Sequence, residues 1–211
     1  MIAYDKNWIR VIDHVLDQEF CQHLIDRFNA CGGQTRYSRV MPKTWGGKVR
    51  REDYPRLTEL NLYNKNYRNF SAMELMRGIS ADIDFTEETE LLVDRVHPVV
   101  EAYREHWDHL HSFPNDFTME GFRIKFYQAG SGDGFPIHTD ASNREMSTRF
   151  LAFLFYLNDS DAGTEFPLEN FTVSARQGRL VIFPPGMQWP HIGHEPKQQD
   201  KYILSTYLHF I

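Results

Sequence analysis

FLAFLFYLN, from Phe150 to Asn158, is a near-continuous apolar stretch with the length of a strand, and it stops at the turn pair Asn158-Asp159. A run of this kind suits a strand buried on both faces. Upstream of it, Phe122, Ile124 and Phe126 alternate with Arg123, Lys125 and Tyr127, which predicts a strand with one apolar and one polar face. Downstream come FTVSA (171–175), RLVIFPP (179–185) and KYILSTYLHF (201–210), with turn residues at Asp161-Ala162-Gly163 and Gln177-Gly178. Short strands at such close spacing predict a sandwich or jelly roll rather than βαβ units.

Before about residue 120 the pattern is mainly helical. Asp17 is placed to cap a helix whose apolar positions Phe20, Leu24, Ile25 and Phe28 recur at three- and four-residue spacing, ending near Cys31-Gly32-Gly33. A second helix is predicted from Thr86 toward His111, with Leu91, Leu92, Val96, Val99, Val100 and Tyr103 as its buried stripe and Pro98 kinking or splitting it. Residues 34–70 read as irregular or short extended pieces carrying Arg36, Arg39, Lys43, Lys48, Arg50 and Arg51. That basic stretch suits a solvated loop, or in a sharper reading a substrate lid over residues 36–51. No repeat, low-complexity tract or linker divides the chain. The expectation is one α+β domain over 1–211: helical support and loops in 1–120, a jelly-roll core in 121–211.

Composition narrows the functions. With 23 Lys+Arg against 29 Asp+Glu, the 211-residue chain has a formal charge of −6, which argues against a general grip on nucleic acid. No apolar run approaches the ~20 residues of a membrane helix, and MIAYDKNWIR lacks a secretory apolar stretch, so a cytoplasmic protein without membrane contact is expected. Two cysteines, Cys21 and Cys31, exclude a disulfide scaffold and a four-cysteine zinc site. The 16 Phe, 10 Tyr and 4 Trp suit a β-rich core, and 10 His suffice for a metal site.

GFPIHTDAS sets His138 and Asp140 two residues apart, a spacing that on an extended strand turns imidazole and carboxylate to one face. The bare pair is weak, because a chain with this many His and acidic residues makes it by chance. His106-Trp107-Asp108 is such a decoy, lying in a predicted helix where positions i and i+2 diverge by roughly 200°. His138 and Asp140 instead follow a strand and a turn with Gly130, Gly132 and Gly134, and His191 lies downstream after the strand VIF and a Pro-rich turn. Two His and one carboxylate on one face leave coordination positions open, as in non-haem Fe(II) sites that bind a cosubstrate and O₂. Lys201, opening the last strand, is a cation suited to the distal carboxylate of a dicarboxylate chelating that iron.

Together these residues resemble a known family, the Fe(II)/2-oxoglutarate-dependent oxygenases, in their prolyl-4-hydroxylase-like branch. The resemblance runs from about Phe122 to Phe210, and more loosely through the helix around Cys21. It is carried by the strand ending in Tyr127, the HTD of 138–140, FLFYLN, GTEFP (163–167), GRLVIFPP, the WPH ending at His191, and Lys201 in KYILSTYL. It implies a double-stranded β-helix with N-terminal packing helices, and Fe(II) on His138, Asp140 and His191. It further implies 2-oxoglutarate held by Lys201 and hydrogen-bonded by Tyr127, with O₂ as co-reactant. The implied reaction hydroxylates an aliphatic C–H with release of succinate and CO₂. A prolyl residue in a peptide or protein is the leading substrate, with a small molecule such as a free amino acid left open. Ascorbate is a further candidate, to rescue oxidised iron. Two departures stand out: the family's GGET-like stretch reads AGTE (Ala162 to Glu165), and the loop from Tyr127 to His138 is long. His194 competes with His191 as distal ligand, and the spacing to Lys201 and the preceding Trp189-Pro190 favour His191.

Blander readings accompany these. A jelly-roll metal module without oxygenase activity, or a zinc hydrolase, could use the same two His and one Asp. Tyr127 suits a core position as well as a ligand contact. Arg123, Lys125 and Arg149 read as solvated strand charges or, less simply, substrate contacts. His106, His109 and His111 form a helix-end cluster, Trp45 and Trp107 are packing residues, and Cys21 is a buried, inert thiol.

Overall fold

The computed structural model describes residues 1–31, 36–39, 56–61, 84–107 and 113–211, with 36–39 and 56–61 described by their strand pairing. The described residues form thirteen strands, two α-helices and one short 3-10 turn. In chain order these are β1 (Ile2–Lys6), β2 (Ile9–Ile12), α1 (Gln18–Ala30), β3 (Arg36–Arg39), β4 (Arg56–Asn61), α2 (Thr86–Trp107), β5 (Phe117–Met119), β6 (Arg123–Tyr127), β7 (Phe135–His138), β8 (Arg149–Tyr156), β9 (Ser160–Phe166), β10 (Phe171–Ala175), β11 (Leu180–Phe183), β12 (His191–Gly193) and β13 (Lys201–Phe210). Of the basic stretch 36–51 only β3 is described. The lid reading, His109, His111 and Trp45 lie outside the described residues.

Two antiparallel sheets face each other. The larger has the order β1-β2-β11-β8-β13-β6-β4-β3, with β5 added on β13, and the smaller has the order β10-β9-β12-β7. From β6 onward the chain crosses between the sheets, pausing only at the β9–β10 hairpin, so that β6, β8, β11 and β13 oppose β7, β9, β10 and β12, the double-stranded β-helix expected from the sequence.

Alternation along the strands builds three layers. On β8, Leu151, Phe153 and Phe155 join a core with α1 and α2, whereas Ala152, Leu154 and Tyr156 point into the space between the sheets. Both faces of this strand are covered, which is why FLAFLFYLN shows no polar alternation. Each such fully buried Phe or Leu stabilises the fold by roughly 1.5–3 kcal/mol. On β6, Ile124 packs toward the helices while Lys125 and Tyr127 turn between the sheets, so the polar face of that strand is interior.

Asp17 caps α1 as expected, accepting the Phe20 N–H at 2.8 Å, and Cys21, Leu24, Ile25 and Phe28 are buried. Burial pushes the Cys21 thiol up to about 12, so it stays protonated. α2 differs from expectation in two ways. Pro98 does not split it, and its buried stripe is Leu92, Val96, Val100 and Tyr103 with Thr89, while Leu91 is 48% exposed and Val99 only partly covered. No described helix is long and apolar enough to cross a membrane.

Two further readings are corrected. The N-terminal part also supplies strands β1 and β2, which extend the larger sheet through β11. Asp161-Ala162-Gly163 is not a turn but lies within β9. Gly163 is there because a Cβ would come within 2.0 Å of the Val173 carbonyl oxygen on β10. Asp161 instead accepts the backbone N–H groups of Lys197, Gln198 and Gln199.

Candidate metal centre

His138 is the last residue of β7 and His191 the first of β12, and the two are register partners across that pair. Asp140 lies just past β7, in a turn, and its carboxylate reaches back to both rings. Its Oδ1 is 3.3 Å from His138 Nε2 and its Oδ2 is 3.4 Å from His191 Nε2. One ligand atom from each residue falls within 4.8 Å of the others, the one such cluster among the described residues.

Each imidazole is oriented through its other nitrogen. His138 Nδ1 lies 2.8 Å from the Pro136 carbonyl and His191 Nδ1 3.2 Å from the Trp189 carbonyl, so each Nδ1–H donates to backbone and turns Nε2 toward the centre. Phe135 packs against His138 with centroids 3.8 Å apart, and Phe183 meets the His191 ring edge-on at 4.8 Å. The Asp140 turn is tied down from two sides. Its carbonyl accepts Arg149 Nη1 at 3.2 Å, and the next N–H, of Ala141, donates to the Pro185 carbonyl at 3.1 Å.

Protonation matches what a cation requires. Burial alone would raise the Asp140 carboxyl, but His191, His138 and Lys125 outweigh it and hold the group far below the usual carboxylate range. Burial pushes His191 down to about 4, against the pull of Asp140. At neutral pH His191 is therefore a neutral imidazole and Asp140 a carboxylate, the forms in which each can ligate a cation. The Asp140 Oδ2 is buried with no hydrogen-bond partner. A buried carboxylate oxygen left without a donor costs free energy that a bound cation recovers, so the residues fit a metal ion.

The remaining wall comes from both sheets: Lys125 and Tyr127 on β6, Leu154 on β8, Thr164 on β9, and Gly193 and Ile203 complete the cavity around the triad. Gly193 keeps this corner open, since a Cβ there would sit 3.1 Å from the Phe135 Cβ and in contact with the Tyr127 hydroxyl at 3.7 Å. Thr164, from the AGTE stretch, is buried with its hydroxyl accepting from the Tyr156 hydroxyl at 2.7 Å.

Lys201 is register partner to Tyr127 on β13–β6 and is fully buried. Its ammonium stands 4.4 Å over the Tyr127 ring and donates to the His194 carbonyl, behind the tyrosine rather than in the cavity wall. Burial pushes it down to about 7, with Asp161 pulling the other way. His194 itself turns away, pairing with Glu165 at 2.7 Å, so His191 and not His194 joins Asp140.

Two residues are more central than the sequence suggested. Lys125, read as a strand charge, is buried in the cavity wall. Arg149 is not solvated: it holds Glu120 through Nε at 2.9 Å and Nη2 at 2.8 Å, beneath the Tyr207 ring. Its place at the start of an apolar strand was the available signal.

Residues 122–209 match the family model described as the 2OG-Fe(II) oxygenase superfamily. No curated protein matches the chain in sequence. Among solved structures, the chain is similar to the viral collagen prolyl hydroxylase of Paramecium Bursaria Chlorella virus-1, in its 2OG complex, at 14% identity and TM-score 0.59, covering 99% of both chains. A Pseudomonas putida prolyl-4-hydroxylase aligns at 16% identity and TM-score 0.59 over 97% of this chain and 94% of that one. A Trichoplax adhaerens prolyl hydroxylase, in complex with a hypoxia inducible factor oxygen degradation domain peptide fragment, aligns at 17% identity and TM-score 0.61 over 97% and 84%. The family match covers the stretch from which the resemblance was read, and the solved structures bear out the expected fold.

Proposed function

We propose that the chain is a non-haem Fe(II)/2-oxoglutarate-dependent dioxygenase that hydroxylates an aliphatic C–H bond, with a prolyl residue of a peptide or protein as its substrate. The observation that carries this is the convergence of His138, Asp140 and His191 with Asp140 Oδ2 buried and unpartnered. Two imidazoles and one carboxylate on one side of a cation leave its other side open for cosubstrate and O₂. The match of residues 122–209 to the oxygenase superfamily supports the cofactor pair Fe(II) and 2-oxoglutarate. The prolyl substrate rests on the similar structures being prolyl hydroxylases, one of which holds a peptide.

Fe(II), once bound with 2-oxoglutarate, supplies the oxidising chemistry, with succinate and CO₂ as by-products. The chain's part is positioning. His138, Asp140 and His191 hold the metal. Tyr127 offers its hydroxyl from the wall, and Lys201, behind that ring, is the cation assigned to the distal carboxylate of 2-oxoglutarate, which reaches it only where the Tyr127 ring moves aside. Phe135, Leu154 and Ile203 keep the cavity dry, so that charge–charge attraction within it is strong.

The test is anaerobic titration of the Fe(II)-loaded protein with 2-oxoglutarate, followed by the weak visible charge-transfer band of such a chelate. The band should appear, and vanish in His138→Ala and His191→Ala. Iron binding without the band would favour the metal-module or hydrolase reading. Turnover is then read as succinate release with proline-containing peptides against free proline, with and without ascorbate.

A further inference from the structure

The β1–β2 hairpin turns through Asn7 and Trp8, with φ of 51° and 66°. A two-residue hairpin loop favours this left-handed pair, which asparagine accepts and a bulky residue such as tryptophan rarely does. Trp8 is held there from one side: its ring stacks on Trp107 with centroids 4.5 Å apart, and the Tyr103 hydroxyl donates to its carbonyl at 2.8 Å. From the other side, the Trp189 indole N–H donates to the Asn7 carbonyl at 2.9 Å, while the Asn7 side-chain amide donates to Glu169. The Trp189 carbonyl is in turn the group that His191 Nδ1 meets at 3.2 Å. A continuous path therefore leads from helix α2 through the hairpin turn to the ring of His191.

We propose that the Asn7–Trp8 turn and Trp189 form a positioning device for His191. The strained turn presents the Asn7 carbonyl in one place, the indole N–H fixes Trp189 on it, and the Trp189 carbonyl fixes the imidazole with Nε2 toward the centre. Strained turns persist when their surroundings over-determine them, and this one is gripped on both flanks. The inference rests on His191 being a metal ligand, as proposed above. Trp189 and Asn7 are positioning residues; neither reaches the centre itself.

Co(II) is the probe, because its visible spectrum reports ligand geometry. Trp189→Phe keeps an aromatic ring but removes the donor. Its Co(II) affinity should fall about 10-fold, in the range typical of groups that orient metal ligands, with altered visible bands and an unchanged thermal midpoint without metal. Trp189→Phe with wild-type affinity and spectrum, while His191→Ala loses both, overturns the inference. A wild-type chain that takes up no Co(II) fails the metal reading itself. A second readout needs no variant. Zn(II) should shift the indole N–H resonance of Trp189 in the wild-type chain, and an unmoved signal on Zn(II) loading overturns the device.

Discussion

His138 and His191 are opposed across a single strand pair, β7 against β12, although half of the jelly-roll strands, β8 to β11, lie between them in sequence. Sheet register, rather than a local motif, thus brings the second imidazole to the first. The two residues that the proposed function assigns to 2-oxoglutarate are opposed in the same way on the other sheet, Lys201 against Tyr127.

Lys201→Ala should weaken 2-oxoglutarate binding about 10- to 100-fold, the worth of one charge-assisted contact, and leave Co(II) binding nearly unchanged. Calorimetric titration of each ligand separates the two. A loss of metal affinity with intact 2-oxoglutarate binding would show that the lysine supports the metal ligands instead.

The low pKa of Lys201 has a pH signature. Burial holds the folded ammonium at about 7 against an ordinary 10.5. Between those values the unfolded chain carries a proton that the folded chain lacks, so this group makes stability rise as pH rises from about 7 to 10.5. Urea unfolding across that window should show the slope, and Lys201→Met should flatten it. A carboxylate arriving beside the amine favours its charged form, so 2-oxoglutarate binding at pH 8 should take up a proton. Calorimetry in buffers of different ionisation enthalpy measures this, and equal heats in all buffers would refute it.

Gly163→Ala should destabilise the chain by about 1–3 kcal/mol or more, because the new methyl meets the Val173 carbonyl oxygen and must push β10 off β9. Chemical denaturation gives the figure. A stability equal to the wild type would mean that the two strands separate at no cost.

Arg149→Met leaves the Glu120 carboxylate buried with the His209 ring at 3.0 Å and the Arg123 charge nearby, and should cost about 3–5 kcal/mol. Adding Glu120→Gln should recover part of that loss, and a double-mutant cycle reports the coupling. Additive effects would show that the pair does not act as a unit.

Much of this was readable in the chain because it depends on short periodicities. Double-sided burial wrote itself into FLAFLFYLN, and the Asp17 cap needed only the apolar spacing behind it. His138 and Asp140 were visible as a local pair, and His191 as the histidine beyond a strand. What stayed hidden depends on partners far away in sequence. The β1–β2 hairpin turns on Asn7-Trp8 without a glycine, because Trp107 and Tyr103 hold the turn in place of backbone freedom. Asp161-Ala162-Gly163 looked like a turn because the need for glycine comes from Val173 on another strand. Arg149 and Lys125 looked solvated because an alternating strand does not say whether its polar face meets water or a second sheet. Leu91 took a place in the helical stripe by spacing alone, and the structure leaves it at the surface.

The triad hangs from β7 and β12 of the smaller sheet, while Tyr127 and Lys201 stand on β6 and β13 of the larger. A dicarboxylate gripped at one end by the metal and at the other by the lysine would be a cross-brace nailed between two separate walls. Loading it would do more than fill a hole: it would lock the spacing of the sheets. The spacing of the sheets around the triad would then act as a gauge, accepting one length of diacid and refusing a shorter or longer one.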